Sequence, residues 1–154
     1  MTPMERIRDF LAAKRFALVG VSRQPQDFSR VLWREFLARG YDAVPVNPEA
    51  DEIEGHACYA RLEDIQPPVN SALLMTTPAV TDTLVRSCAE TGVERVWLFR
   101  GAGRGAVSPD AVQFCEAHGI SVIPGECPFM YLPGGAWFHR FHGWVRKITG
   151  AWPR

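Results

Sequence analysis

The residues of this sequence best equipped for chemistry are those that could hold a phosphate. An apolar run, Phe16-Ala17-Leu18-Val19, stops at Gly20, and Val21, Ser22 and Arg23 follow at once. A glycine turn leaves backbone N–H groups uncovered, Ser22 adds a hydroxyl and Arg23 a guanidinium, and this set suits phosphate oxygens. Ser29 and Arg30 stand near the start of the helix expected next. Three further segments carry small polar or glycine-rich turns: Val46-Asn47-Pro48, Thr76-Thr77-Pro78 and Arg100-Gly101-Ala102-Gly103-Arg104-Gly105. No catalytic constellation accompanies them. There is no GxSxG elbow, no HExxH, and no Ser or Cys with a placed base, and His56 sits in a polar stretch without a partner.

Two common nucleotide signatures are absent. A nicotinamide fingerprint wants GxGxxG after the first strand and an acidic residue after the second; here Gly20 stands alone and Asn47 takes the acidic place. No GxxxxGK[ST] P-loop occurs. The Gly20-x-Ser22 pair therefore reads either as a tight strand-to-helix turn or as a phosphate site of another kind.

The elements that must position these turns alternate along the chain. A lead-in helix is expected over 4–14, with Ile7, Phe10 and Leu11 at helical spacing. Strands are expected over 16–21, 41–46, 71–75, 93–99 and 120–123, short apolar runs of the kind buried on both faces of a parallel sheet. Helices fall between them. The first is capped by Asp27 or Ser29 and ends at Gly40; the second starts at Pro78 and ends before Gly92; the third runs from Ser108-Pro109 to His118. Residues 49–68 read as irregular apart from one helical turn at 62–65. This order predicts an α/β fold, a doubly wound, mainly parallel five-stranded sheet with helices on both faces. Ligands of such sheets sit beyond the carboxyl ends of the strands, where strand order reverses.

Composition sets limits. At 154 residues the chain holds one domain with a real core. Formal net charge is zero, which gives no general attraction to nucleic acid or anionic membrane. Cys58, Cys88, Cys115 and Cys127 are widely spaced with no CxxC pair, and a chain with its own core needs no disulfides, so reduced thiols in the cytoplasm are expected. The polar N-terminus argues against a cleaved signal peptide, and no run of about 18 apolar residues is present to span a bilayer.

From Gly125 onward the sequence changes character. Trp137, Phe141, Trp144, Val145 and Ile148 share one face of an expected helix, with Arg140, Arg146 and Lys147 opposite. Three roles stay open for this aromatic tail: a flap over its own domain, a homodimer interface, or a membrane-surface helix. Cys127 reads as a reactive thiol or a buried inert one. His139 and His142 could join it around a metal, although a solvated polar face explains them as well.

Several of these residues carry a resemblance. Gly20-Val21-Ser22, Gly40-Tyr41, Pro45-Val46-Asn47-Pro48, Gly55 with Cys58-Tyr59, Leu62-Glu63-Asp64-Ile65 and Val96-Trp97-Leu98 resemble the small stand-alone CoA-binding proteins. These are similar to the CoA-binding domain of the succinyl-CoA synthetase alpha subunit. The resemblance spans roughly residues 5–125 and implies a Rossmann-like fold with coenzyme A as ligand. It implies that Gly20, Val21, Ser22 and Arg23 receive the pyrophosphate, with Ser29 and Arg30 nearby. Val46, Asn47 and Pro48 would border the adenosine portion, and Thr76, Thr77 and Pro78 line the turn after the third strand. The loop after Phe99 departs from the family's usual Gln-Glu-Gly stretch, and the aromatic tail is an addition. The synthetase's phosphohistidine domain has no counterpart, so ligase activity does not follow.

The expectation is thus a CoA-binding domain over 1–125 with an extension over 126–154, holding CoA or an acyl-CoA without catalysis of its own. A nucleotide-dependent enzyme (a reductase using NADP, or a CoA-transferase type) and an interaction module with a vestigial pocket are the alternatives.

Overall fold

The computed structural model of the chain describes residues 1–101 and 105–132. Helix α1 (Pro3–Ala12) starts in a closed capping box: the Thr2 hydroxyl accepts from the Glu5 N–H, and the Glu5 carboxylate accepts from the Thr2 N–H. Strand β1 (Arg15–Val19), helix α2 (Phe28–Ala38) and strand β2 (Asp42–Val46) follow. A small hairpin, β3 (Glu52–Ile53) with β4 (His56–Ala57), and a 3-10 turn at Leu62–Asp64 lead to β5 (Ser71–Leu74). Then come α3 (Pro78–Glu90), β6 (Arg95–Leu98), α4 (Pro109–Ala117), β7 (Ser121–Pro124) and a second 3-10 turn at Pro128–Tyr131.

Five strands form one parallel sheet in the order β2-β1-β5-β6-β7. The expected doubly wound α/β architecture is the one found. Strand order reverses between β1 and β5, because the chain first steps outward to β2 and then returns to build on the other side of β1. That reversal opens a crevice at the carboxyl ends of β1 and β5.

Successive strand residues point to opposite faces, and this divides the core in two. Ala17, Val19, Ala72, Leu74, Val96 and Leu98 pack with Val85 and Cys88 of α3 and Ala111 and Cys115 of α4. Phe16, Leu18, Leu73 and Trp97 pack with Ile7 and Phe10 of α1 and Leu32, Trp33 and Phe36 of α2. Cys127, Phe129 and Leu132 join this second cluster, so the segment after β7 closes over the same face.

Two boundaries differ from the sequence reading for a local reason. The expected strand over 16–21 ends at Val19, because Gly20, whose N–H still donates to the Val46 carbonyl of β2 at 3.0 Å, takes φ +100° and turns the chain out of the sheet. The stretch 49–68 is not wholly irregular. Glu54 (φ +48°) and Gly55 (φ +81°) make a two-residue turn that pairs β3 with β4. The expected tail helix, with Trp137, His139, Phe141, His142, Trp144, Val145 and Ile148, lies outside the described residues, as do residues 102–104 of the glycine loop.

Candidate ligand site at the strand ends

Gly20 is required first by packing. A Cβ there would lie 2.3 Å from the Met75 carbonyl oxygen, and the residue's φ is one that side chains rarely adopt. The glycine therefore lets the end of β1 pass close against the end of β5, which brings the two turns of the crevice together. Val21 follows with no exposure, its side chain packed into the aromatic face of the core.

Beyond Val21 the turn is tied down residue by residue. The Ser22 N–H donates to Ser29 Oγ at 2.8 Å, and Ser29 Oγ donates on to Asp27 Oδ2 at 2.7 Å. Asp27 caps α2, accepting from the Ser29 N–H at 3.0 Å, which decides between the two expected caps. The Arg30 and Val31 N–H groups donate to the Asp27 carbonyl. The first donors of α2 are thus largely occupied by its own cap, so the turn in front of the helix is left as the main source of anion-binding amides. The N–H groups of Val21 and Arg23 take no acceptor among the described residues.

Asn47 joins the second strand end to the first. Its Nδ2 donates to the Val21 carbonyl at 2.8 Å, and its Oδ1 accepts from the Glu49 N–H at 2.7 Å. Arg23 is exposed and donates from Nη1 to the Glu49 carbonyl at 3.2 Å, which draws it over the same corner. At the third strand end the Thr81 hydroxyl donates to the Thr77 carbonyl and accepts from Thr76 Oγ1 at 2.7 Å, while the Thr77 hydroxyl caps α3. Pro48 is exposed and Pro78 half-buried, each beginning the exit from its strand. The structure therefore gathers Gly20, Val21, Ser22, Arg23, Ser29, Arg30, Val46, Asn47 and Pro48 around one corner of the sheet edge. Thr76, Thr77 and Pro78 stand across the crevice, where Gly20 meets Met75.

Arg30 takes a place that the sequence did not reveal. It is 6% exposed, and Nη1 donates to the carbonyls of Ser22 and Arg23, both at 3.2 Å. Nη2 donates to Glu54 Oε2 at 2.5 Å, and Arg34 Nε donates to the same oxygen at 2.8 Å. Those two guanidiniums hold the Glu54 carboxyl below the usual range, Arg34 first and Arg30 second. Glu54 is a site-supporting residue missed by sequence reasoning. The signal was the Glu54-Gly55 pair, whose turn carries the carboxylate to α2.

Chemistry at the thiols is disfavoured by the same structure. All four cysteines are free and buried, and desolvation pushes Cys127 and Cys88 up to about 12 and Cys115 up to about 11. Cys127 is thus a buried thiol held in its neutral form. No group of three or more potential metal ligands occurs among the described residues, and His139 and His142, weighed with Cys127 as possible ligands, lie outside them.

A cavity of about 270 Å³ opens at the other end of the sheet, lined by Ala13, Arg15, Pro68, Val69, Asn70 and Arg95. Its two arginines are engaged, Arg15 by Asp42 and the Pro68 carbonyl, Arg95 by Asp9. No described helix is long and apolar enough to cross a membrane.

The fold is shared with solved structures. Prb, the PH1109 protein redesigned for binding, matches with a TM-score of 0.75 at 26% identity, over 83% of this chain and 87% of that one. A hypothetical protein from Pyrococcus horikoshii OT3 matches with a TM-score of 0.74 at 24% identity, over 98% and 94%. The dinucleotide-forming acetyl-coenzyme A synthetase 1 of Ca. Korarchaeum cryptofilum matches with a TM-score of 0.61 at 23% identity, over 71% of this chain and 25% of that one, a likeness of fold alone. The uncharacterized protein YneT of Bacillus subtilis (strain 168) is 28% identical over 115 residues, 75% of this chain and 82% of that protein. Residues 14–133 match the CoA binding domain family, a span that includes every strand of the sheet and every turn at its carboxyl edge. The chain belongs to that family of CoA-binding domains.

Proposed function

We propose that this protein binds CoA or an acyl-CoA at the carboxyl edge of the sheet and holds it without catalysis of its own, as a carrier, sensor or regulatory partner in the cytoplasm. The observation that carries the reading is the family match over residues 14–133, which takes in all the residues gathered at the β1–β5 crevice. In this reading Gly20, Val21, Ser22 and Arg23 receive the pyrophosphate, backed by Ser29 and Arg30. Val46, Asn47 and Pro48 border the adenosine portion, and Thr76, Thr77 and Pro78 form the far wall. The free amides of Val21 and Arg23 support this assignment, since backbone N–H groups in a turn are apt donors to phosphate oxygens. The non-catalytic part is supported by thiols that stay neutral and by the lack of a nucleophile-and-base pair in the sequence.

Calorimetric titration with CoA, acetyl-CoA, NAD, NADP and ATP tests it. Micromolar binding of CoA, lost when Ser22 or Asn47 is replaced by a bulky residue, is the expected result. A preference for NADP would overturn the reading.

We further take residues 126–154 as an extension that packs on the domain over 1–125 or between two copies of it. Native mass spectrometry with and without residues 133–154 separates these arrangements, because loss of a dimer on truncation marks an interface.

A further inference from the structure

A buried guanidinium is a costly anchor for a loop. Arg30 is 6% exposed, its Nε is buried without an acceptor among the described residues, and Glu54 is its carboxylate partner. Holding two carbonyls needs only neutral donors, so the placement of this charge calls for another reason.

Peptide geometry supplies one. The Ser22–Arg23 bond is trans, and in a planar trans peptide the carbonyl and the following N–H point to opposite sides. Arg30 Nη1 draws the Ser22 carbonyl inward, so the Arg23 N–H must face away from the buried guanidinium. That amide, like those of Val21 and Gln26 in the same turn, takes no acceptor among the described residues. The neighbouring amides are spent locally: Ser22 on Ser29 Oγ and Gln24 on Ser22 Oγ. The guanidinium also places a fixed positive charge beneath the turn, on the side opposite the outward amide.

Arg30 is held in turn by the hairpin. Glu54 stands at the tip between β3 and β4, in a left-handed conformation that aims its carboxylate back at α2. We infer that Glu54 and Arg30 are positioning residues for the anion-binding turn, the hairpin carboxylate fixing the guanidinium and the guanidinium fixing the Arg23 N–H toward the diphosphate of the ligand. This rests on the CoA reading and adds a division of labour to it: the hairpin sets affinity for the diphosphate and leaves the adenosine end alone.

The test compares CoA with adenosine 3′-phosphate, which lacks the diphosphate, as ligands of the full chain in calorimetry. E54Q is expected to weaken CoA about tenfold while adenosine 3′-phosphate is unchanged. E54D, which keeps the charge on a shorter stem, recovers part of that loss. R34Q removes the other partner of Glu54 without touching the turn and keeps CoA affinity within about twofold. Equal CoA affinity in E54Q and the unmodified protein overturns the inference alone, as does an equal loss for both ligands, which would make the hairpin a general prop. If the unmodified protein binds no CoA, the ligand reading falls and this inference with it.

Discussion

On the face covered by α3 and α4 the sheet buries Ala17, Val19, Ala72, Leu74, Val96 and Leu98, whereas under α1 and α2 it buries Phe16, Leu18, Leu73 and Trp97. Among the described residues, the first face buries no aromatic side chain and the second buries six, Phe10, Phe16, Trp33, Phe36, Trp97 and Phe129. Small and branched residues let α3 and α4 lie close and pack on the sheet by dispersion, with Ser108 Oγ donating to Asp82 Oδ1 between the two helices. The aromatic side does something more, because each buried indole uses its N–H as a fastener. Trp33 Nε1 donates to the Ala43 carbonyl at 2.9 Å and ties α2 to edge strand β2. Trp97 Nε1 donates to the Gly125 carbonyl at 2.9 Å and ties the segment after β7 to β6. The helix that carries Ser29 and Arg30 is therefore fixed by the aromatic face. One face is core alone, and the other is core that also fixes the helix behind the candidate site.

That contrast can be broken. The largest effect is expected from Trp97→Ala, a loss of about 3–5 kcal/mol in urea unfolding, whereas Leu74→Ala on the aliphatic face loses about 2–5 kcal/mol. The distinction lies in binding: at a temperature where both variants are folded, Leu74→Ala keeps the CoA affinity of the unmodified protein and Trp33→Phe lowers it. Equal affinities in those two would erase the proposed difference between the faces. Next comes Gly20→Ala, where a 2.3 Å clash with the Met75 carbonyl and φ +100° predict a loss of roughly 3 kcal/mol and a widened crevice.

A smaller effect is expected from pH. The Glu54 carboxyl is lowered by its hydrogen bonds to Arg34 and Arg30, so its contribution to stability is fully present above its unfolded value near 4.5 and fades as pH falls through the depressed folded value. The gap in urea midpoint between the unmodified protein and Glu54→Gln should stand open at pH 6 and close as pH drops below 4.5. A gap that widens toward acid would reverse the sign. The smallest expected signal is at Cys127, pushed up to about 12 by burial. Alkylation at pH 8 should be slow in the folded protein and fast in urea, and rapid modification of the native form would contradict the buried setting.

Much of this fold was legible in the chain, because buried parallel strands leave continuous apolar runs and helices leave caps. Pro78 at the start of α3 and Ser108 as the cap of α4 marked their helices well. The end of β1 was not legible, since apolar character continues through Val21 while the strand stops at Val19. The hairpin was missed because its strands are two residues each, too short for any alternation to show. The candidate site was legible only as a set of residue types at strand ends. What stayed hidden was direction: in sequence Arg30 reads either as a phosphate ligand or as an ordinary surface arginine, yet helix geometry turns it inward beneath the turn, onto two carbonyls and the Glu54 carboxylate.

The most direct test of the central claim is hydrogen exchange followed with and without CoA. The account predicts added protection at residues 20–23, 46–48 and 76–78, at the carboxyl edge, and none around Ala13, Asn70 and Arg95 at the opposite end. Protection confined to that opposite cavity, with the turn after β1 unchanged, would contradict it.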